Sequence, residues 1–151
     1  MKMRNYLAFC LAIVVIVACS KDKFETTPSL VYKSANTEVV PVGGILRPVL
    51  EYTDKEGDLD SVFVGRVRLN KKSPDTAATL EFIVPEFQNE SKGEIMLELL
   101  YSTYLTLNFN AIPAPGTGGG NEPDTLMLHF QVKDAAGHFS DTVRKEFIVI
   151  R

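Results

Sequence analysis

The feature that most constrains this chain is an alternation of period two. Leu126, Leu128, Phe130 and Val132 are interleaved with Met127, His129, Gln131 and Lys133. That period places one set of side chains on a buried sheet face and the other toward solvent, and no helix satisfies it. The same parity recurs. Leu46, Pro48, Leu50 and Tyr52 stand opposite Arg47 and Glu51, and Leu80, Phe82 and Val84 opposite Glu81 and Ile83. In Val62–Leu69 the charge pattern assigns Phe63, Gly65, Val67 and Leu69 to the core, and Arg66 and Arg68 to a solvated face.

The longest such stretch, Ile95 to Phe109, is apolar or aromatic at nearly all its odd positions. Tyr101 to Leu107 is rich in β-formers, which predicts strand with a bulge or bend near Ser102. Pro48 marks an edge or bulge. Turn residues separate the segments at Val42-Gly43-Gly44, at Ser73-Pro74-Asp75, and across Asn110–Asp124, where Pro113, Pro115 and Gly116 to Gly120 read as a long mobile loop. About seven strands are expected: roughly 29–33 or 37–41, then 45–53, 61–70, 79–85, 94–109, 125–133 and 142–150. That number of short strands in one domain predicts an all-β fold, an Ig-like antiparallel β-sandwich over 30–151.

The N-terminus carries an address rather than a fold. Lys2 and Arg4 precede an apolar run from Tyr6 to Ala18, of signal-peptide length and too short to span a bilayer as a helix. It closes on Ile16-Val17-Ala18-Cys19, which resembles the lipobox of bacterial lipoproteins. The resemblance implies a signal peptide over 1–18, cleavage before Cys19, and acylation of the Cys19 thiol and amino group. Two or three acyl chains, palmitate among them, hold a soluble domain on a membrane where a single chain is marginal. Cys10 then leaves with the signal, so the mature domain has no free thiol and no disulfide. Residues 19–29 read as a polar tether. Ser20 in place of Asp leans toward the outer membrane. The following Lys21-Asp22-Lys23-Phe24-Glu25 resembles the charged export tags of Bacteroidetes-type surface lipoproteins. Two further stretches point the same way. Gln131 to Val143, with Asp134-Ala-Ala-Gly-His, resembles the closing hairpin of bacterial Ig-like and fibronectin-like modules. Tyr52 to Asp60 resembles an acidic turn of small, uncharacterised lipoproteins from the same bacteria. That likeness implies a fold and an address, and no activity.

Charge and motifs narrow the function classes. The whole chain carries 16 basic and 19 acidic residues, and loss of Lys2 and Arg4 leaves the mature chain at −5. That balance is unsuited to nucleic acid or anionic lipid. The acidic run Asp54, Glu56, Asp58 and Asp60 has an alternate-residue spacing that suits a calcium loop, although it lacks the EF-hand register. In an Ig-like topology, Glu86, Asn89, Glu90, Asp134 and Asp141 would converge on the same tip. Asp54, Glu56, Asp58, Asp60 and Asp134 are therefore the candidate ligands for Ca²⁺, and a solvated hairpin tip uses the same residue types. The Gly116–Gly120 run lacks the Lys-Ser/Thr of a phosphate loop. His138, Ser140 and Asp141 lie too close in sequence for a catalytic relay. His129 reads as surface, and an outward Tyr101 or Tyr104 would offer a sugar-stacking ring. No nucleophile–base pair or cofactor loop is evident, so the expectation is not an enzyme. The expected role is a lipid-anchored, non-catalytic binding module of the outer envelope, at the cell surface, with a protein or glycan partner. The alternative is an accessory subunit of a periplasm-facing envelope complex.

Overall fold

A computed structural model describes residues 27–70, 75–85, 90–116 and 118–151. The signal peptide, Cys19 and the tether up to residue 26 lie outside the described residues, as do Ser73, Pro74, Glu86 and Asn89. The regular structure of the described residues is almost entirely β, in ten strands rather than about seven. These are β1 (Ser29–Ala35), β2 (Val39–Val40), β3 (Ile45–Leu46), β4 (Pro48–Thr53), β5 (Leu59–Arg68), β6 (Asp75–Ile83), β7 (Lys92–Met96), β8 (Leu99–Leu100), β9 (Asp124–Asp134) and β10 (Val143–Val149). They form a three-stranded sheet β1-β4-β7, a five-stranded sheet β2-β10-β9-β5-β6 and a two-stranded β3-β8 pair. The count rises because the expected strand 45–53 breaks at Arg47 before Pro48 and the expected strand 94–109 breaks after Met96. Both candidate first strands exist, as β1 and β2. The pairing is not wholly antiparallel, since β2 runs parallel to β10.

One core joins the sheets. Leu30, Leu50 and Tyr52 from the three-stranded sheet meet Val62, Val64, Leu126, Leu128, Phe130, Val132 and Phe147 from the five-stranded sheet. The period-two reading of β9, and of β3 with β4, holds residue by residue, with Leu126, Leu128, Phe130, Val132, Leu46, Leu50 and Tyr52 all buried.

The reading of β5 is inverted. Val62, Val64, Arg66 and Arg68 face inward, and Arg66 and Arg68 retain only 2% and 1% exposure. Two guanidiniums sit inside because other chain segments supply oxygens to them. Arg66 donates to the carbonyls of Tyr104, Leu107 (3.4 Å) and Ala78 (3.1 Å). Arg68 donates to the Asn110 carbonyl at 2.6 Å and pairs with Asp75 and with buried Asp124 at 3.3 Å. Arg151 Nε lies 3.0 Å from Asp124, and its guanidinium also donates to the Phe109 carbonyl. The Phe109 ring lies under both arginines, 5.9 Å from the Arg66 guanidinium carbon and 5.2 Å from that of Arg68. Burial pushes the Arg66 guanidinium below its usual value.

These staples explain why Ile95–Phe109 is not one long strand. Tyr101–Leu105 forms a π-helical turn, in which Thr106 N–H bonds the Tyr101 carbonyl at 2.9 Å. Asn108 then takes a left-handed φ of 69°, and the chain lays its carbonyls against the two arginines. The Ala78 carbonyl is available because β6 carries a bulge where Val64 and Arg66 pair with Leu80 and Ala77. The segment from Asn110 to Asp124 is a long loop, as expected. It folds back on itself, with Pro113 bridging Asn121, Glu122 N–H bonding the Ile112 carbonyl at 2.7 Å and Ala114 N–H bonding that of Gly120 at 3.0 Å.

Arg66→Ala should leave three carbonyls without their donor beside a void. The expected loss is about 3 kcal/mol, or roughly 10 °C in the thermal midpoint. Arg66→Lys, with one point donor, should recover only part of it. A thermal melt that leaves either variant within a degree or two of the parent would show that the staple contributes little.

Candidate functional site

Two regions merit consideration as sites, the acidic tip and the seam between the sheets. At the tip the expected convergence of loops is present. Asp54 N–H bonds the Ser91 carbonyl at 2.8 Å, and Ala135 N–H bonds that of Asp58 at 3.0 Å. Gly57 and Gly137 take positive φ values of 70° and 92°, which the two tight turns require.

Three of the five candidate carboxylates, however, have separate occupations. Asp54 is buried to 1% exposure, and its Oδ2 accepts the Asp58 N–H at 2.9 Å. Its Oδ1 is buried without a hydrogen-bond partner. Asp134 is buried and accepts from the His138 N–H at 2.8 Å, with its other oxygen 2.9 Å from His138 Nδ1. Asp60 faces Lys133 at 3.1 Å and Ser61 Oγ at 2.8 Å. Glu56 and Asp58 are exposed. Among the described residues no three His, Cys, Asp or Glu side chains gather as a metal site requires. The calcium reading stands on sequence spacing alone.

The two buried carboxylates titrate in opposite directions. Burial raises Asp54, the Asp58 N–H partly opposes it, and the charges of Asp58, Glu56 and Asp134 add to the rise. Burial also pulls Asp134 upward, but hydrogen bonds from the His138 N–H, its ring and the Gly137 N–H outweigh it and leave Asp134 low.

The other sequence candidates have structural occupations. Ser140 is buried, its Oγ taking the Val132 N–H at 3.0 Å and donating to the Asp141 carbonyl at 2.9 Å. His129 lies on the outer sheet face, lowered by partial burial and then by Arg144. Tyr101 and Tyr104 are both packed against the core. Tyr101 Oη donates to the Ile150 carbonyl at 2.9 Å, and Tyr104 meets Phe82 edge-on at 5.4 Å.

The seam was not singled out from the sequence. β6 ends the five-stranded sheet and β7 ends the three-stranded one. Between them lies a mainly apolar cleft of about 420 Å³, floored by Val62, Ile95 and Leu97 and walled by Phe82 and Val84. Ile83 and Met96 stand on its lips at 72% and 59% exposure. Glu94 and Glu98 line the β7 side. Lys33 pairs with Glu94 and Arg47 holds Glu98 at 2.8 Å, and both carboxylates stay about half exposed, at 51% and 56%. The available sequence signal was Ile83, an apolar residue on the solvent parity of its strand.

Neither a protein family nor a curated protein matches this chain. Solved structures give distant likenesses. The sporulation control protein Spo0M of Bacillus subtilis aligns over 83% of this chain and 50% of its own, at 8% identity and a TM-score of 0.48. A β-glucosidase from Listeria innocua in complex with gluconolactone aligns over 87% of this chain and 17% of its own, at 13% identity and 0.44. One from Kluyveromyces marxianus gives 83%, 14%, 13% and 0.43. The chain thus spans half the length of the first and under a fifth of the enzymes. No activity carries over at these scores.

Two outcomes are expected at the tip. Since Asp60 and Asp134 already have partners, melts in EDTA and in millimolar Ca²⁺ should coincide. A rise of several degrees that Mg²⁺ does not reproduce and Asp58→Asn abolishes would mean that the tip rearranges around the ion. The second concerns pH. A raised Asp54 costs stability above its folded pKa, and that cost disappears as pH falls through it. A lowered Asp134 contributes stability above its unfolded pKa, and that contribution disappears as pH falls through its folded value. The midpoint should therefore rise slightly from neutral pH into the upper carboxylate range and fall below it. Asp54→Asn should remove the rise and keep the fall, and a rise that persists in this variant would place its origin elsewhere.

Proposed function

We propose that this protein is a lipid-anchored, non-catalytic interaction module of a bacterial outer envelope. It is an Ig-like β-sandwich that docks a partner at the β6–β7 seam. The lipobox-like Ile16-Val17-Ala18-Cys19 and the polar tether support the address. Two sheets sharing one core support the sandwich. The observation that carries the function is the asymmetry of the two sides. On the β1–β10 side Tyr32 meets Phe147 edge-on at 6.4 Å and Lys145 lies 5.6 Å from the Tyr32 ring centre. On the other side the sheets part around an apolar cleft with Ile83 and Met96 at its lips. Exposed apolar side chains around a cleft mark contact surfaces more often than chance exposure does.

The test is photo-crosslinking in cells. A photoreactive residue at position 83 or 96 should give one discrete protein adduct, and the same residue at exposed Glu146 on β10 should give none. Cys19→Ala should abolish the adduct by releasing the protein from the membrane. Adducts absent at 83 and 96, or equal at 146, would overturn the docking role. Adducts indifferent to Cys19 would overturn the need for the anchor.

A further inference from the structure

We propose that the seam binds an extended peptide segment that adds as a sixth strand to β6, with apolar side chains at alternate positions and lysine or arginine between them. The inference rests on the docking role above and names its partner class. The first argument is the edge itself. Val84 N–H donates to the Asp60 carbonyl at 2.9 Å, so the 60–84 pair is hydrogen-bonded. Register then runs Ser61 to Ile83, Val62 to Phe82 and Phe63 to Glu81. Bonded and non-bonded pairs alternate in an antiparallel ladder, so Phe82 bonds to β5 while Glu81 and Ile83 turn their N–H and C=O groups to the free edge. Those groups are the template a new strand reads.

The second argument is that the Glu81–Ile83 stretch of this edge has no lysine, arginine or proline guard, the β6 bulge lying earlier, between Ala77 and Leu80. β6 contains no Pro, Lys or Arg, whereas the edge strands β1 and β7 carry Lys33 and Lys92. A strand laid along β6 would alternate its side chains between the cleft and the outer face. The inward ones would cover Val62, Ile95 and Leu97.

The third argument is charge. Glu81 is exposed on β6, and Glu94 and Glu98 line the opposite lip, each meeting one cation, Lys33 or Arg47, yet still about half exposed. A second copy of this chain would bring the same glutamates against this rim, whereas a basic, apolar-alternating peptide complements it.

The probe is a short fluorescein-labelled peptide of alternating valine and lysine, titrated by anisotropy against the full chain in detergent. Saturable binding is expected. Glu81→Pro removes only an outward N–H and leaves the β5–β6 ladder intact, so it should weaken binding about tenfold with an unchanged melt. N-methylation of the peptide amides facing β6 should do the same. If Glu81→Pro lowers the melt, Ile83→Lys replaces it, placing a guard charge on the same edge. Equal binding by these variants or by the N-methylated peptide would overturn strand addition. Tighter binding of a valine–glutamate peptide would overturn the charge assignment. A dimer in light scattering that Glu81→Pro dissolves would give the edge to a second copy instead. No binding, with crosslinks still formed at 83 and 96, would overturn the peptide class and leave the docking role standing.

Discussion

Two buried guanidiniums on one strand organise this molecule. Arg66 and Arg68 occupy inward positions of β5, between β9 and the edge strand β6 of the five-stranded sheet, where a hydrophobic residue would be the default. A cation removed from water is tolerated only when oxygens replace its hydration, and the cost of leaving it bare is several kcal/mol. Here the oxygens come from Ala78, Tyr104, Leu107, Asn110, Asp75 and Asp124, all far from β5 in sequence or on its neighbours. The arginines thus determine where the 101–110 segment must lie. That segment cannot extend β8, because its carbonyls are required underneath.

The seam follows from the same constraint. With Tyr101–Leu105 held as a π-helical turn, Tyr104 rests on Phe82 and closes the cleft at that end. The segment that might have widened the three-stranded sheet past β7 is used to cover the arginines instead. The three-stranded sheet therefore stops at β7 on the side where the five-stranded sheet stops at β6, and the space between their edges stays open. Stability and exposure are coupled here: the contacts that hold the buried charges, with Arg66 Nε and Arg68 Nε still lacking a hydrogen-bond partner, leave the β6 and β7 edges open among the described residues.

Much of this was legible in the sequence wherever polarity and burial agree. β9 and β4 alternate cleanly, and their inward sets match the core. β5 misled because Val62-Phe63-Val64-Gly65 is nearly symmetric in polarity, so the arginines alone decided its face. Arginine was placed in water by its charge, and the Tyr104 and Asn110 carbonyls that it meets lie 38 and 42 residues away. The strand reading of 95–109 failed for the same reason. Tyr, Thr and Leu favour strand locally, and a distant pair of donors overrides them. At the tip the meeting of the 54–60 and 134–141 loops was readable from topology, but the aim of each carboxylate was not. Carboxylate spacing along a chain does not reveal that Asp134 is engaged by His138 and Asp60 by Lys133.

The tip and the seam also differ in what their polar groups lack. At the tip, apart from the buried Asp54 Oδ1, the carboxylates that point inward meet donors from their own turns, so the negative charge is answered locally and serves the geometry of the loops. At the seam the unanswered groups belong to the backbone. The peptide groups of Glu81 and Ile83 face outward from a nine-residue strand, beside an apolar cleft that neither sheet fills. Water can satisfy the peptide groups but gains nothing from the cleft, and an apolar side chain can fill the cleft but does nothing for the peptide groups. An extended chain answers both at once, because its main chain and its alternate side chains point in the two required directions. That coincidence of an open edge and an open cleft distinguishes the seam from the tip.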